Sequence, residues 1–243
     1  MPERYSVPAS GAKMKSLLTF VLMVPSLLFT TYGYSGVSLS GTRLIYDATK
    51  KEASITVNNS DKIAAVLIQS WVNERDSNKT KAPFVVTPPL FRLEPGQENV
   101  LRIIQVGGNL PEDRESLFWL NVKAIPSSSG EQKNTLQVAL NNRIKFIYRP
   151  EKVTGLPEDS AKALRWERNG NQIQVTNPTP FYMNFAIVTI GGKPVRPASP
   201  EQTYVAPHSI LKFPVLQGAN GNNVTWKIIN DYGGASKTFS AKY

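Results

Sequence analysis

Residues 134–148 alternate between apolar and polar side chains over a stretch that is long for a single strand. The apolar side chains share one parity and are Leu136, Val138, Leu140, Ile144, Phe146 and Tyr148. Side chains alternate across a strand with a period of two, so the pattern predicts a β-strand with one apolar face. The run has fifteen residues, whereas globular strands usually have about five or six. Two interpretations stay open: one long core strand, or a strand of which part is offered to another protein.

Short strand patterns separated by proline and glycine fill most of the remaining chain. Before the Arg149-Pro150 pair they cover residues 37–46, 53–57, 64–72, 83–87, 99–106 and 117–125. Beyond it they cover residues 164–167, 172–176, 182–190, 202–205, 210–215, 224–230 and 237–241. With the long strand, the first set makes about seven strands, which is typical of an immunoglobulin-like sandwich. We therefore predict an all-β protein with two domains, residues 36–150 and residues 151–243.

The first 35 residues have the order of a secretory signal peptide. A short positive segment at Met14-Lys15 precedes an apolar stretch, residues 17–29, and small and polar residues then continue to Ser35. The apolar stretch is shorter than the roughly 20 residues of a membrane-spanning helix. We predict cleavage after Ser35, an exported protein without stable membrane insertion, and a translation start at either Met1 or Met14. A buried N-terminal helix is the alternative interpretation.

The composition argues against several classes of protein. The chain has no cysteine and a single histidine, His208, so thiolate metal sites are excluded and a catalytic triad would depend on that one residue. No Gly-x-Ser-x-Gly motif accompanies it. The net charge of +10 at pH 7 is dispersed rather than clustered, which argues against nucleic-acid binding. We expect no enzymatic activity, no metal and no cofactor; the alternative is an enzyme that requires His208.

Five ordered motifs spread over the chain resemble a known family. They are L-P-E-D-R-E-S-L-F-W-L-N-V-K-A-I-P at 110–126, P-P-L-F-R-L-E-P-G at 88–96, R-I-K-F-I-Y-R-P at 143–150, N-P-T-P-F-Y at 177–182 and I-N-D-Y-G-G at 229–234. Together they are similar to the PapD-like periplasmic chaperones of the chaperone–usher pathway. The resemblance implies two immunoglobulin-like domains arranged in an L with a cleft between them. It also implies a protein that holds fimbrial subunits in the periplasm and passes them to an outer-membrane usher.

The resemblance further implies roles for particular residues. The 134–148 strand would be donated to a subunit, and the side chains that enter the subunit would be Leu136, Val138 and Leu140. The subunit's C-terminal carboxylate would bind in the cleft to Arg43 and Lys145. An interdomain ionic network would be formed by Glu115, Arg149 and Asp231.

Two questions stay open at this point. One is whether the free chaperone covers its apolar strand by self-association. The other is whether the chain is instead an adhesin or fibre subunit. A subunit would need its own donor extension, and residues 36–40 are too short for one because they run directly into a predicted strand.

Overall fold

The computed structural model describes residues 1, 3, 36–74, 82–127 and 136–243. Apart from Met1 and Glu3, the predicted signal segment 1–35 lies outside the described residues, as do residues 134 and 135 of the predicted long strand. Gly36–Tyr243 form one compact unit. Within the described ranges, no helix is long and apolar enough to cross a membrane.

The N-terminal part of this unit is a sandwich of two sheets. Its strands are β1 Val37–Leu39, β2 Arg43–Asp47, β3 Ala53–Asn59, β4 Val66–Asn73, β5 Phe84–Thr87, β6 Leu90–Leu93, β7 Glu98–Gln105, β8 Ser116–Pro126 and β9 Leu140–Arg149. One sheet has the order β1-β3-β7-β5, and the other has the order β2-β9-β8-β4-β6. Alternate side chains of both sheets meet in the first core, where Phe84 lies edge-on against Phe118 and Phe146.

The C-terminal part is a second sandwich with a core of its own. An α-helical turn at Pro157–Ser160 and a 3-10 turn at Ala161–Ala163 lead into it, and a second 3-10 turn spans Pro200–Thr203. Its strands are β10 Arg165–Asn169, β11 Gln172–Asn177, β12 Met183–Ile190, β13 Lys193–Pro194, β14 Tyr204–Val205, β15 Ser209–Pro214, β16 Asn223–Ile228 and β17 Phe239–Lys242. The sheets have the orders β10-β11-β15 and β13-β12-β16-β17, with β14 paired to β12. Trp166 and Trp226, with ring centroids 5.4 Å apart, lie in the second core.

The prediction that residues 37–46 form a single strand is wrong. This segment divides into β1, which pairs with β3 in one sheet, and β2, which pairs with β9 in the other. Ser40 still hydrogen-bonds to Thr56 through both its amide and its hydroxyl oxygen. The chain then crosses between sheets at Gly41, where a Cβ would lie 3.2 Å from the carbonyl oxygen of Arg43. Val37 and Leu39 alternate with serines, whereas Leu44, Ile45 and Tyr46 follow one another, and neither pattern locates the crossing. The short strands β6 and β13 were also not predicted.

The long strand begins later than predicted. Strand β9 starts at Leu140, and the described residues 136–139 are not part of a strand. The physical reason is the lack of a ladder partner. The neighbouring strand β8 ends at Pro126, which has no amide hydrogen to donate, and its last residue paired to β9 is Ala124, opposite Leu140. The apolar alternation therefore extends beyond the sheet that would pair it.

Candidate functional site

One edge of β9 is open over its first half. Strand β8 pairs with one side of β9 from Leu140 to Tyr148. On the other side, the parallel strand β2 pairs only from Lys145 to Arg149. No strand in the described ranges pairs with residues 140–144 on that side. Unpaired backbone groups at a sheet edge are a template for a strand from another chain.

The alternating apolar side chains of this region divide into two groups. Leu136, Val138 and Leu140 are 90%, 58% and 61% exposed. Phe146 is fully buried in the first core, and Ile144 and Tyr148 pack against that core. The three exposed side chains have two-residue spacing and precede, or lie on, the open edge. An exposed apolar segment thus leads directly into an open strand edge, an arrangement on which a partner strand could add.

Arg43 and Lys145 are neighbours on β2 and β9. They are paired in the parallel ladder, where adjacent strands lie about 4.8 Å apart. Their side chains lie on the face of the sheet opposite to Tyr46 and Phe146, which enter the first core. The ladder thus brings together two cations that are separated by about a hundred residues of sequence.

The Lys145 side chain contacts the second sandwich through neutral groups. Its Nζ donates to Asn184 Oδ1 at 2.6 Å and to Thr203 Oγ1 at 3.3 Å. The ammonium also lies 4.5 Å from the centroid of the Tyr204 ring. Burial, with repulsion from Arg43 as a second cause, lowers the pKa of Lys145 to about 8.

Arg43 is held in a similar way. Its Nη1 donates to the carbonyl oxygen of Ile229 at 3.3 Å, while its buried Nε has no hydrogen-bond partner in the described structure. Burial lowers the pKa of the Arg43 guanidinium, and attraction from Asp231 opposes this effect. Two neighbouring, partly desolvated cations with neutral acceptors form a site suited to a carboxylate, which could accept hydrogen bonds from both.

A separate ionic network links the two sandwiches. Arg149 forms a bidentate pair with Asp231 at 2.7 and 2.9 Å, and its Nε donates to Glu115 Oε1 at 2.8 Å. Glu115 Oε2 accepts a hydrogen bond from the amide of Tyr182 at 2.7 Å, and the Glu115 amide donates to the carbonyl of Pro180 at 2.9 Å. Residues of both sandwiches therefore share one network.

The charges in this network respond to burial and to one another. Burial raises the pKa of the Glu115 carboxyl, although Arg149 and the Tyr182 amide oppose the shift. Burial lowers the pKa of Arg149, but the hydrogen bonds that it donates to Asp231 and the charges of both acids raise this pKa above its usual value. Arg149 therefore remains charged, and it engages both acids of the network directly.

Four groups that contact the two cations were not among the predicted site residues: Asn184, Thr203, Tyr204 and the carbonyl of Ile229. Asn184 and Tyr204 lie in strands β12 and β14 and Thr203 ends a 3-10 turn, so no motif or spacing marks these three residues. Ile229 begins the I-N-D-Y-G-G motif, but the motif assigned no role to its carbonyl. Only the approach of the second sandwich to Lys145 and Arg43 identifies them.

Comparison with known families decides what this arrangement is. A model described as "Pili and flagellar-assembly chaperone, PapD N-terminal domain" matches residues 36–154. A second, "Pili assembly chaperone PapD, C-terminal domain", matches residues 159–240. The chain belongs to the PapD family of pilus-assembly chaperones. Members of this family are chaperones rather than enzymes, which confirms the prediction that the chain has no enzymatic activity.

Individual relatives agree with the family models. The chaperone is 44% identical over 201 residues to the probable fimbrial chaperone LpfB of Escherichia coli O157:H7, covering 82% of this chain and 84% of LpfB. It is 41% identical over 222 residues to FimC of Escherichia coli K12, covering 89% and 88%. A solved Salmonella enterica complex of the SafA pilin with the SafB chaperone matches with a TM-score of 0.78 and 40% identity, covering 88% of this chain and 99% of the matched one. The prediction of two immunoglobulin-like domains is confirmed.

Proposed function

We propose that this chaperone binds fimbrial subunits in the periplasm by lending them residues 134–148, which include most of β9, and that it delivers them to an outer-membrane usher. The observation that carries the proposal is the open edge of β9. Exposed apolar side chains lie at one end of this edge, and the ladder neighbours Arg43 and Lys145 lie at the other. The similarity of this chain to SafB, whose structure was solved in complex with a pilin, supports a fimbrial subunit as the bound protein.

Each part of the site has a proposed role. Backbone groups of the open edge pair with the subunit, and Leu136, Val138 and Leu140 enter its groove. Full burial of such a side chain is worth about 1.5–3 kcal/mol. Arg43 and Lys145 bind the C-terminal carboxylate of the subunit and thereby set the register of the added strand.

The remaining assignments complete the proposal. Residues 1–35 are the signal that directs export, and residues 36–150 and 151–243 are the two domains. The ionic network of Glu115, Arg149 and Asp231 sets the orientation of the domains. Its role is structural, because removing one member of a buried ion pair leaves an uncompensated charge.

Co-expression with a fimbrial subunit, followed by pull-down, tests the proposal. Arg43→Ala and Lys145→Ala should leave the chaperone folded and abolish co-purification of the subunit. Leu140→Glu should weaken the complex because it places a charge in an apolar groove. Recovery of the subunit at wild-type yield with either cation variant would refute the anchor. A complex of unchanged stability with Leu140→Glu would refute strand donation.

A further inference from the structure

The two cations of the anchor are held by acceptors that belong to one hydrogen-bonded pair of residues. Lys145 donates to the side chain of Asn184, and Arg43 donates to the carbonyl of Ile229. The amide of Ile229 in turn donates to the backbone carbonyl of Asn184 at 2.7 Å. The spacing of the two acceptors is therefore set by a backbone hydrogen bond within the second sandwich.

The orientation of the Asn184 side chain is also determined. Asn184 is 2% exposed, and its Nδ2 donates to the carbonyl of Tyr182 at 3.2 Å. A carbonyl can only accept, so the amide nitrogen must face Tyr182 and Oδ1 must face Lys145. The side chain offers the ammonium a fixed acceptor that carries no formal charge.

Two acids near this site, Asp231 and Glu115, are engaged by other partners. Asp231 attracts Arg43 at a distance but is held by Arg149 in a bidentate pair, and Glu115 is held by Arg149 and the Tyr182 amide. The charged group that acts on Lys145 is Arg43, which repels it. From the second sandwich, the ring of Tyr204 faces the ammonium.

We infer that Asn184 is a positioning residue for the anchor, which holds the Lys145 ammonium in place without neutralising it and so keeps its charge available to the client's carboxylate. This inference rests on the proposed function. An aspartate has nearly the same shape, but it would form an ion pair with Lys145 and compete with the client. A leucine would remove the acceptor and leave the buried ammonium less well solvated.

The experiment compares Asn184→Asp and Asn184→Leu with the wild-type chaperone. NMR titration of the isotope-labelled Lys145 side chain in the free protein should show opposite changes. Asn184→Asp should raise the pKa of Lys145, and Asn184→Leu should lower it below the wild-type value of about 8. A packing role alone would not shift the titration in opposite directions. Asn169→Asp, an exposed position at the end of β10, is the matched control for the change in net charge.

Binding is measured at pH 7 with a synthetic peptide of alternating valine and threonine that ends in a free carboxylate, and with its C-terminal amide. Asn184→Asp should weaken binding of the acid peptide about tenfold or more and leave binding of the amide unchanged, while Asn169→Asp should bind like the wild type. If Asn184→Asp changes neither the titration of Lys145 nor the affinity for the acid, the inference is refuted. If the wild type binds acid and amide equally, the proposed anchor itself fails, whatever Asn184 does.

Discussion

Replacing Leu140 with alanine should weaken client binding without weakening the chaperone's own fold. Leu140 is 61% exposed in the free protein, so a client groove can still bury about three-fifths of its surface. Burying a whole leucine side chain is worth about 1.5–3 kcal/mol, which leaves roughly 1–2 kcal/mol for the client. The expected loss is about 5- to 30-fold in affinity. The free energy of unfolding of the free chaperone should change by less than about 0.5 kcal/mol.

Ile144→Ala is the matched control on the same face of β9. Ile144 packs against the first core, so its truncation should destabilise the free chaperone by about 1–2 kcal/mol. Urea unfolding of the free protein and calorimetric titration with a purified subunit separate the two effects. The division of β9 into a lent part and a core part would be wrong if Leu140→Ala destabilised the free chaperone as much as Ile144→Ala does. It would also be wrong if Leu140→Ala bound the subunit with wild-type affinity.

Three further predictions concern charge and backbone. A bound carboxylate would raise the pKa of Lys145 from about 8, so the complex takes up a proton when it forms above that pH. The affinity should therefore be constant below about pH 8 and fall by up to about tenfold per pH unit above it. Calorimetric titration at pH 7 and pH 9 tests this, and an equal affinity at both pH values would contradict it. Arg149→Met would leave Glu115, which is 3% exposed, without its cation, so the free energy of unfolding should fall by about 3–5 kcal/mol. Adding Glu115→Gln to the same variant should restore part of this loss. His208 has a φ of 50°, so His208→Gly should melt at an equal or slightly higher temperature and capture subunits normally; loss of capture would instead give His208 a functional role.

Much of the fold was predictable because a strand leaves a local pattern. The period-two alternation that placed Phe146 in the core also marked β11 and β16, whose inward residues are buried as expected. The alternation of side chains does not show which sheet a strand joins. Residues 37–46 therefore appeared as one strand, although the chain changes sheets at Gly41.

For the candidate site too, the sequence determined one part and the tertiary structure determined the other. The sequence by itself determined that the apolar alternation starting at Leu136 is long for one strand, and the family resemblance implied a shared role for Arg43 and Lys145. Only the tertiary structure decided that the two cations are ladder neighbours, that β2 stops short of the first half of β9, and that Asn184 contacts Lys145. The physical reason is the sequence separation of the groups involved. Side-chain periodicity depends on residues that are adjacent in the sequence. Ladder pairing and the desolvation of a charge depend on groups that lie far apart in the sequence and that only the fold brings together.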